Sequence, residues 1–215
     1  MNYLAHALPH LHDPWLVAGT SLPDWLRFVG VRLRAERAAA LALPAGSPSA
    51  RLREGVLAHH EDDRRFHADA RFDALAAQLA RELRALEPDR RFRASTIAHV
   101  AVEILVDAAL LRAHAGSGER YYQALEQVPI DELDDAVAVL CGAPVPHLPT
   151  LHRRFLDARF VLSYLRDDGV VRALDGVLAR VGLPRVPRGA IACIEKARPS
   201  VATLAAALFP ATAIG

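Results

Sequence analysis

His59, Asp63 and His67 are spaced four residues apart, and so are His99, Glu103 and Asp107. At ~100° per residue, helical positions four apart fall at about 0°, 40° and 80°, on one face over two turns. Imidazole and carboxylate arranged this way are a ligand set for a divalent metal. The stretch 97–111, Ile-Ala-His-Val-Ala-Val-Glu-Ile-Leu-Val-Asp-Ala-Ala-Leu-Leu, is apolar all round except for its ladder. Such a helix is central and buried. Ionisable groups inside it need a partner, because an unpaired buried charge is strongly unfavourable. A metal is one partner; a network with Arg64, Arg65 or Arg112 is the other. His6, in the apolar run 3–8, and Asp24, after Ser-Leu-Pro, are further ligand candidates. His60 and Asp62 flank the first ladder. His10 and His12 read as solvated, and His114, His147 and His152 belong to no ladder.

The elements that must position these groups read as helices nearly throughout, with no alternating strand-like runs. Segment 2–8 reads as a short helix. Asp13-Pro14 is a helix start, a capping carboxylate followed by Pro at the first helical position. Ser21-Leu22-Pro23 reads as a turn that presents Asp24 and Trp25. Residues 44–50 read as a loop, with Ser49 capping one long helix to about Leu86, which Pro88 and Asp89 interrupt. Ser95 or Thr96 opens the central helix, which ends near Gly116 and Gly118. Helices at about 119–128, 131–141, 150–166, 168–181 and 188–208 complete the chain, with a Pro-rich connector at 141–149. The expectation is an all-α single domain over 1–215, its metal-site core in about 1–115 and C-terminal helices packed on it.

Composition bounds the function. The 215 residues are 52% apolar and 24% charged, which excludes a disordered chain, a collagen and a disulfide scaffold. The net charge of +1 leaves no basic excess to hold nucleic acid through its phosphates. Two cysteines, Cys141 and Cys193, lie far apart without a metal or redox spacing, so a reduced cytoplasmic protein is expected. The N-terminus lacks a basic n-region and a long apolar run, so no signal peptide is expected. The apolar stretch 190–209 is interrupted by Glu195, Lys196, Arg198 and Pro199 and is not a membrane span. No Walker A loop, GxGxxG, GxSxG or HExxH is present.

The opening Met1-Asn2-Tyr3-Leu4-Ala5-His6, then Asp24, His59-x-x-x-Asp63 followed by Phe66-His67, and the apolar helix carrying Asp107 resemble the acyl carrier protein phosphodiesterases. These are distant relatives of the HD phosphohydrolases. The likeness is at motif level over roughly the first 115 residues, with a looser echo at 160–181. It implies an all-helical, HD-like fold and a divalent metal, Mn2+ first, with Mg2+, Fe2+ or Zn2+ as alternatives. It implies hydrolysis of the phosphodiester between 4′-phosphopantetheine and the carrier serine. Asp24, His59 and Asp63 would then bind the metal, and His6 and Asp107 would complete the site, with His99 and Glu103 as further ligand candidates. His67 or His60 would protonate the leaving oxygen or orient the phosphate, and Arg64 would neutralise developing charge. Arg51, Arg53 and Arg65 would form a basic rim for an acidic carrier protein. Two other readings start from the same residues. One is a helical metallo-phosphohydrolase or phospholipase acting on another phosphoester. The other is a non-catalytic helical scaffold whose ladders form a buried polar network.

Overall fold

Residues 2–89, 92–180, 182–187 and 189–210 are described in the computed structural model, and among them the chain is all-helical, with no strand. The α-helices are α1 (Tyr3–Ala7), α2 (Pro14–Phe28), α3 (Ala35–Ala39), α4 (Pro48–His67), α5 (Ala70–Leu86), α6 (Ala94–Ala113), α7 (Ser117–Glu126), α8 (Ile130–Cys141), α9 (Leu148–Ala158), α10 (Asp167–Arg180) and α11 (Ala190–Leu208). Two 3-10 segments, Leu8–His10 and Phe160–Leu165, accompany them. The residues fall into two compact units, one of Met1–Ala5, Arg65–Ala115 and Phe160–Gly215, the other of His6–Arg64 and Gly116–Arg159.

In the first unit α6 is the core. Ile97, Ala98, Ala101, Val102, Ile104, Leu105, Val106 and Leu110 are buried, and α5, α10, α11 and the 160–165 segment pack around the helix. By length and composition α6 could cross a membrane, but 67% of its apolar window is buried inside the protein. In the second unit α2 packs on α7 and α9, around Trp25, Tyr121, Tyr122 and Phe155. His152, buried at 4% exposure, stands edge-on to Trp25 with ring centres 5.3 Å apart.

Several local signals meet expectation. Asp13 caps α2, accepting from the Leu16 N–H at 3.0 Å, and Pro14 follows as the first helical residue. Gly142, at φ +73°, ends α8 in the left-handed conformation that glycine adopts without strain. Asp13 also pairs with Arg51. Burial opposes its charge, but the Arg51 guanidinium and the Leu16 amide outweigh burial and hold the carboxyl below its ordinary pKa. A folded pKa below the unfolded one stabilises at pH above about 3.9, and that stability fades as pH falls through the folded value. Asp13→Ala is therefore expected to cost about 1 kcal/mol at pH 7. The difference from the parent shrinks at pH 3, as parallel urea titrations at the two pH values would read.

Other expectations are corrected. Ser21-Leu22-Pro23 is no turn, because α2 runs through Pro23 to Phe28. Pro23 has no N–H to offer the carbonyl one turn back, yet the helix continues. The Thr20 and Ser21 hydroxyls both donate to the Val17 carbonyl, at 2.9 and 3.1 Å, and add polar support on this turn. The 48–86 stretch is two helices. Ser47, not Ser49, caps α4 through the Ala50 N–H at 3.2 Å. Asp69 caps α5, accepting from the Arg71 N–H at 2.8 Å. The expected helix at 150–166 ends at Ala158, where Arg159 turns left-handed at φ +40°, and a 3-10 segment follows. The short α3 carries no strong sequence signal. Arg90, Arg91, Val181 and Arg188, within expected helices or basic patches, lie outside the described residues.

Candidate metal centres

Two clusters form, one within each unit: His6 with His59 and Asp63, and His67 with His99 and Glu103. Within each, one donor atom per residue lies within 4.8 Å of the others.

The first cluster depends on how α2 and α4 meet. Gly19 and Gly55 face each other so closely that a Cβ on Gly55 would stand 2.4 Å from the Leu16 carbonyl oxygen and 2.7 Å from the Gly19 Cα. One residue past Gly19, the Thr20 carbonyl accepts from His59 Nδ1 at 2.8 Å. His59 stands one turn past Gly55 on α4. Its Nδ1 thus carries a proton, and Nε2 on the other side of the ring faces Asp63, 3.4 Å from Oδ2. His6, fully buried, stacks on the His59 ring at 4.0 Å between centres. Its Nδ1 lies 3.4 Å from Asp62 Oδ2, and its Nε2 lies 3.3 Å from Asp63 Oδ1. That last approach is out of line for a hydrogen bond, so this buried Nε2 has no hydrogen-bond partner among the described residues.

The electrostatics agree with a cation position. Burial opposes charge on His6, but Asp62 and Asp63 outweigh it and raise the imidazole. Burial and the neighbouring His6 lower His59. Asp63 resists its own burial because His59 and His6 hold it far below the usual carboxylate range. Two imidazoles with outward Nδ1 partners, inward Nε2 atoms and one ionised carboxylate fit a divalent ion. Asp63 and Asp62 are 26% and 27% exposed, so solvent reaches this side of the cluster.

The second cluster stands on α6 and the end of α4. His99 and Glu103 are one turn apart, with Nε2 to Oε1 at 3.3 Å; His67 Nε2 reaches the same oxygen at 3.0 Å. The two imidazoles lie near parallel, 4.9 Å apart. Phe72, packed on Phe66, presents its ring to both histidines. Burial opposes the Glu103 charge, but His67 and His99 outweigh it and hold the carboxyl at about 2.

The remaining expected site residues are placed as follows. Asp24, half-buried one turn past Thr20, stands outside the first cluster, although its charge acts on His59. Asp107 is fully buried and belongs to neither cluster. Its two oxygens accept the Leu4 and Ala5 N–H groups at 3.0 and 2.8 Å, at the start of α1. Asp107→Ala would strand those two buried donors and is expected to cost about 2–4 kcal/mol. Urea titration would read the loss, with faster hydrogen exchange at Leu4 and Ala5. His60 Nε2 lies 3.0 Å from the Leu33 carbonyl. Arg64 pairs with Glu61, Arg51 with Asp13 and Glu54, and Arg53 donates to the Leu41 carbonyl at 2.8 Å. Arg65 is exposed. His12 is exposed, but His10 is half-buried, and Asp62 acts on it electrostatically. The roles of the Thr20 carbonyl, Asp62 as a partner of His6, and Phe72 escape a reading of side-chain spacing.

Cys141 and Cys193 are free thiols, and burial pushes both above the ordinary thiol pKa. A cavity of about 590 Å³ at the start of α6, lined by Arg84, Phe92, Arg93 and Ser95 among others, includes no residue of either cluster. Comparison with protein-family models, curated proteins and solved structures finds no match to this chain.

Proposed function

We propose that the chain is a metal-dependent phosphodiesterase centred on His6, His59 and Asp63. The observation that carries this reading is the fully buried His6 Nε2, 3.3 Å from the Asp63 carboxylate yet without a hydrogen bond among the described residues. Three protein ligands leave coordination positions open, which suits a catalytic rather than a closed structural site. Two imidazoles favour Fe2+ or Zn2+ over Mg2+, and the likeness to the acyl carrier protein phosphodiesterases adds Mn2+. Bound there, such an ion would polarise a phosphoryl oxygen and lower the pKa of a bound water toward neutrality.

The chain's own groups supply the rest. Thr20 and Asp62 orient the two imidazoles from behind. Asp24, half-buried one turn along α2, adds negative charge beside His59. His60 donates its Nε2–H to the Leu33 carbonyl, so it would deliver a proton to the leaving oxygen from Nδ1 in its imidazolium form. The likeness of 1–6, Asp24 and His59-x-x-x-Asp63 to the acyl carrier protein phosphodiesterases supports holo-acyl carrier protein as the substrate and an HD-like helical arrangement. The basic rim in this reading is Arg51, Arg53 and Arg65.

Elemental analysis of the purified protein beside Asp63→Ala tests the centre. Bound manganese, iron or zinc that the variant loses supports it, with metal-dependent turnover of a generic phosphodiester and release of phosphopantetheine from holo-carrier. Reversing the charge of Arg53 and Arg65 together would slow carrier turnover and spare the small phosphodiester. A protein without metal that takes up no manganese, and whose stability a chelator leaves unchanged, would overturn the reading in favour of a polar network.

A further inference from the structure

The His67 cluster lies outside the reading above, which assigns chemistry only to the His6 cluster. Its geometry carries an assignment of its own. In a tetrahedral site with bonds of about 2.0–2.1 Å, neighbouring donor atoms stand about 3.3 Å apart. The two approaches to Glu103 Oε1, one of them a hydrogen bond from His67, are 3.0 and 3.3 Å, and all three donor atoms lie within 4.8 Å of one another, the spacing an ion among them requires after adjustment of the side chains. His99 and Glu103 form a one-turn chelating pair on α6, whose other faces are packed. His67 packs edge-on against the Phe66 and Phe72 pair, both rings 1% exposed. Phe72 also meets His99 edge-on at 4.8 Å, so one aromatic ring sets the position of both imidazoles. The site is reachable, because His67 and His99 are 36% and 44% exposed. Two histidines and a glutamate form a donor set that suits zinc-like ions and disfavours calcium and magnesium.

We propose that His67, His99 and Glu103 bind a divalent transition-metal ion of the zinc or cobalt kind, loaded independently of the His6 cluster. His67 is then a ligand and not a proton donor. The test is titration of the full-length protein with Co2+, read by d–d absorption, with Zn2+ as competitor. Four proteins are compared: the parent, Asp63→Ala, His99→Ala, and the two changes combined. Asp63→Asn and Glu103→Gln, which keep side-chain shape, stand in where an alanine variant fails to fold. The expected result is that Asp63→Ala retains one Co2+, displaced by Zn2+. Adding His99→Ala or Glu103→Gln weakens that binding at least 10-fold. The inference fails if Asp63→Ala and Asp63→Asn bind no Co2+, or if their binding is indifferent to changes at His99 and Glu103. A parent that binds one ion, lost in His99→Ala and kept in Asp63→Ala, sustains this inference and defeats the phosphodiesterase centre. The converse pattern does the reverse.

Discussion

On the proposed metal reading, an Asp63→Asn protein is expected to bind manganese at least about 100-fold more weakly than the parent, because even changes behind the ligands cost 10–100-fold. Asn keeps the shape of the carboxylate and loses the charge that faces two Nε2 atoms, His6 at 3.3 Å and His59 at 3.4 Å. At an ion concentration 100 times the parent's Kd, binding stabilises the parent by about 2.7 kcal/mol. The variant at the same concentration gains about 0.4 kcal/mol. For a chain of this size the difference amounts to about 5–9 °C in the metal-dependent part of Tm. Differential scanning calorimetry with manganese and with a chelator reads it, and the proposed phosphodiesterase turnover is expected to fall in parallel. A polar network without metal gives the opposite pattern. His59→Leu with Asp63→Leu is then neutral or stabilising, as replacing a whole buried ion pair often is, and manganese moves neither melting curve.

Gly55→Ala is expected to damage fold and centre together. In an isolated helix, alanine in place of glycine gains about 1 kcal/mol. At this position the three atoms nearest the new Cβ are all backbone, the closest the Leu16 carbonyl oxygen at 2.4 Å and the Gly19 Cα at 2.7 Å, so swinging a side chain aside does not relieve the clash. The helices must separate, and overpacking of this kind costs about 1–3 kcal/mol net. Separation also lengthens the 2.8 Å contact between His59 Nδ1 and the Thr20 carbonyl, which sets the aim of Nε2. Metal affinity should therefore fall by more than 10-fold although no ligand is changed. Gly176→Ala on α10, where a Cβ meets nothing within 4 Å, is the control and gains about 0.5–1 kcal/mol. Urea titration and manganese binding on the two variants separate the steric effect from the propensity effect.

The pairing of His59 with Asp63 was legible because a four-residue spacing on one helix brings side chains together whatever the rest of the fold does. His6 was legible as a polar residue inside an apolar run. The period of four misled further out. Each step drifts by about 40°, and α4 ends at His67, so that residue joins α6 instead of extending the first ladder. Asp107 continues the His99 spacing, yet its carboxylate serves amides at Leu4 and Ala5, more than 100 residues away along the chain. The carbonyl behind His59 was not legible, because a backbone atom leaves no mark on residue type. The Gly19 and Gly55 pair is equally silent, since its signal is the absence of two side chains far apart in sequence. Pro23 read as a turn because a proline inside a helix needs local support that side-chain type alone does not announce.

The uniform apolarity of α6 also sets a problem of order during synthesis. The helix is complete once the ribosome has passed Ala113, and by then only α5 among its principal partners exists. The 160–165 segment, α10 and α11, which cover its other sides, emerge last. At about 5–20 residues per second, the nascent chain carries a greasy helix covered only on its α5 side for several seconds while the rest of the other unit is still being made. That interval is when the protein is most open to aggregation and to capture by chaperones. Slow translation between residues 113 and 160 would be harmful here, however stable the finished protein.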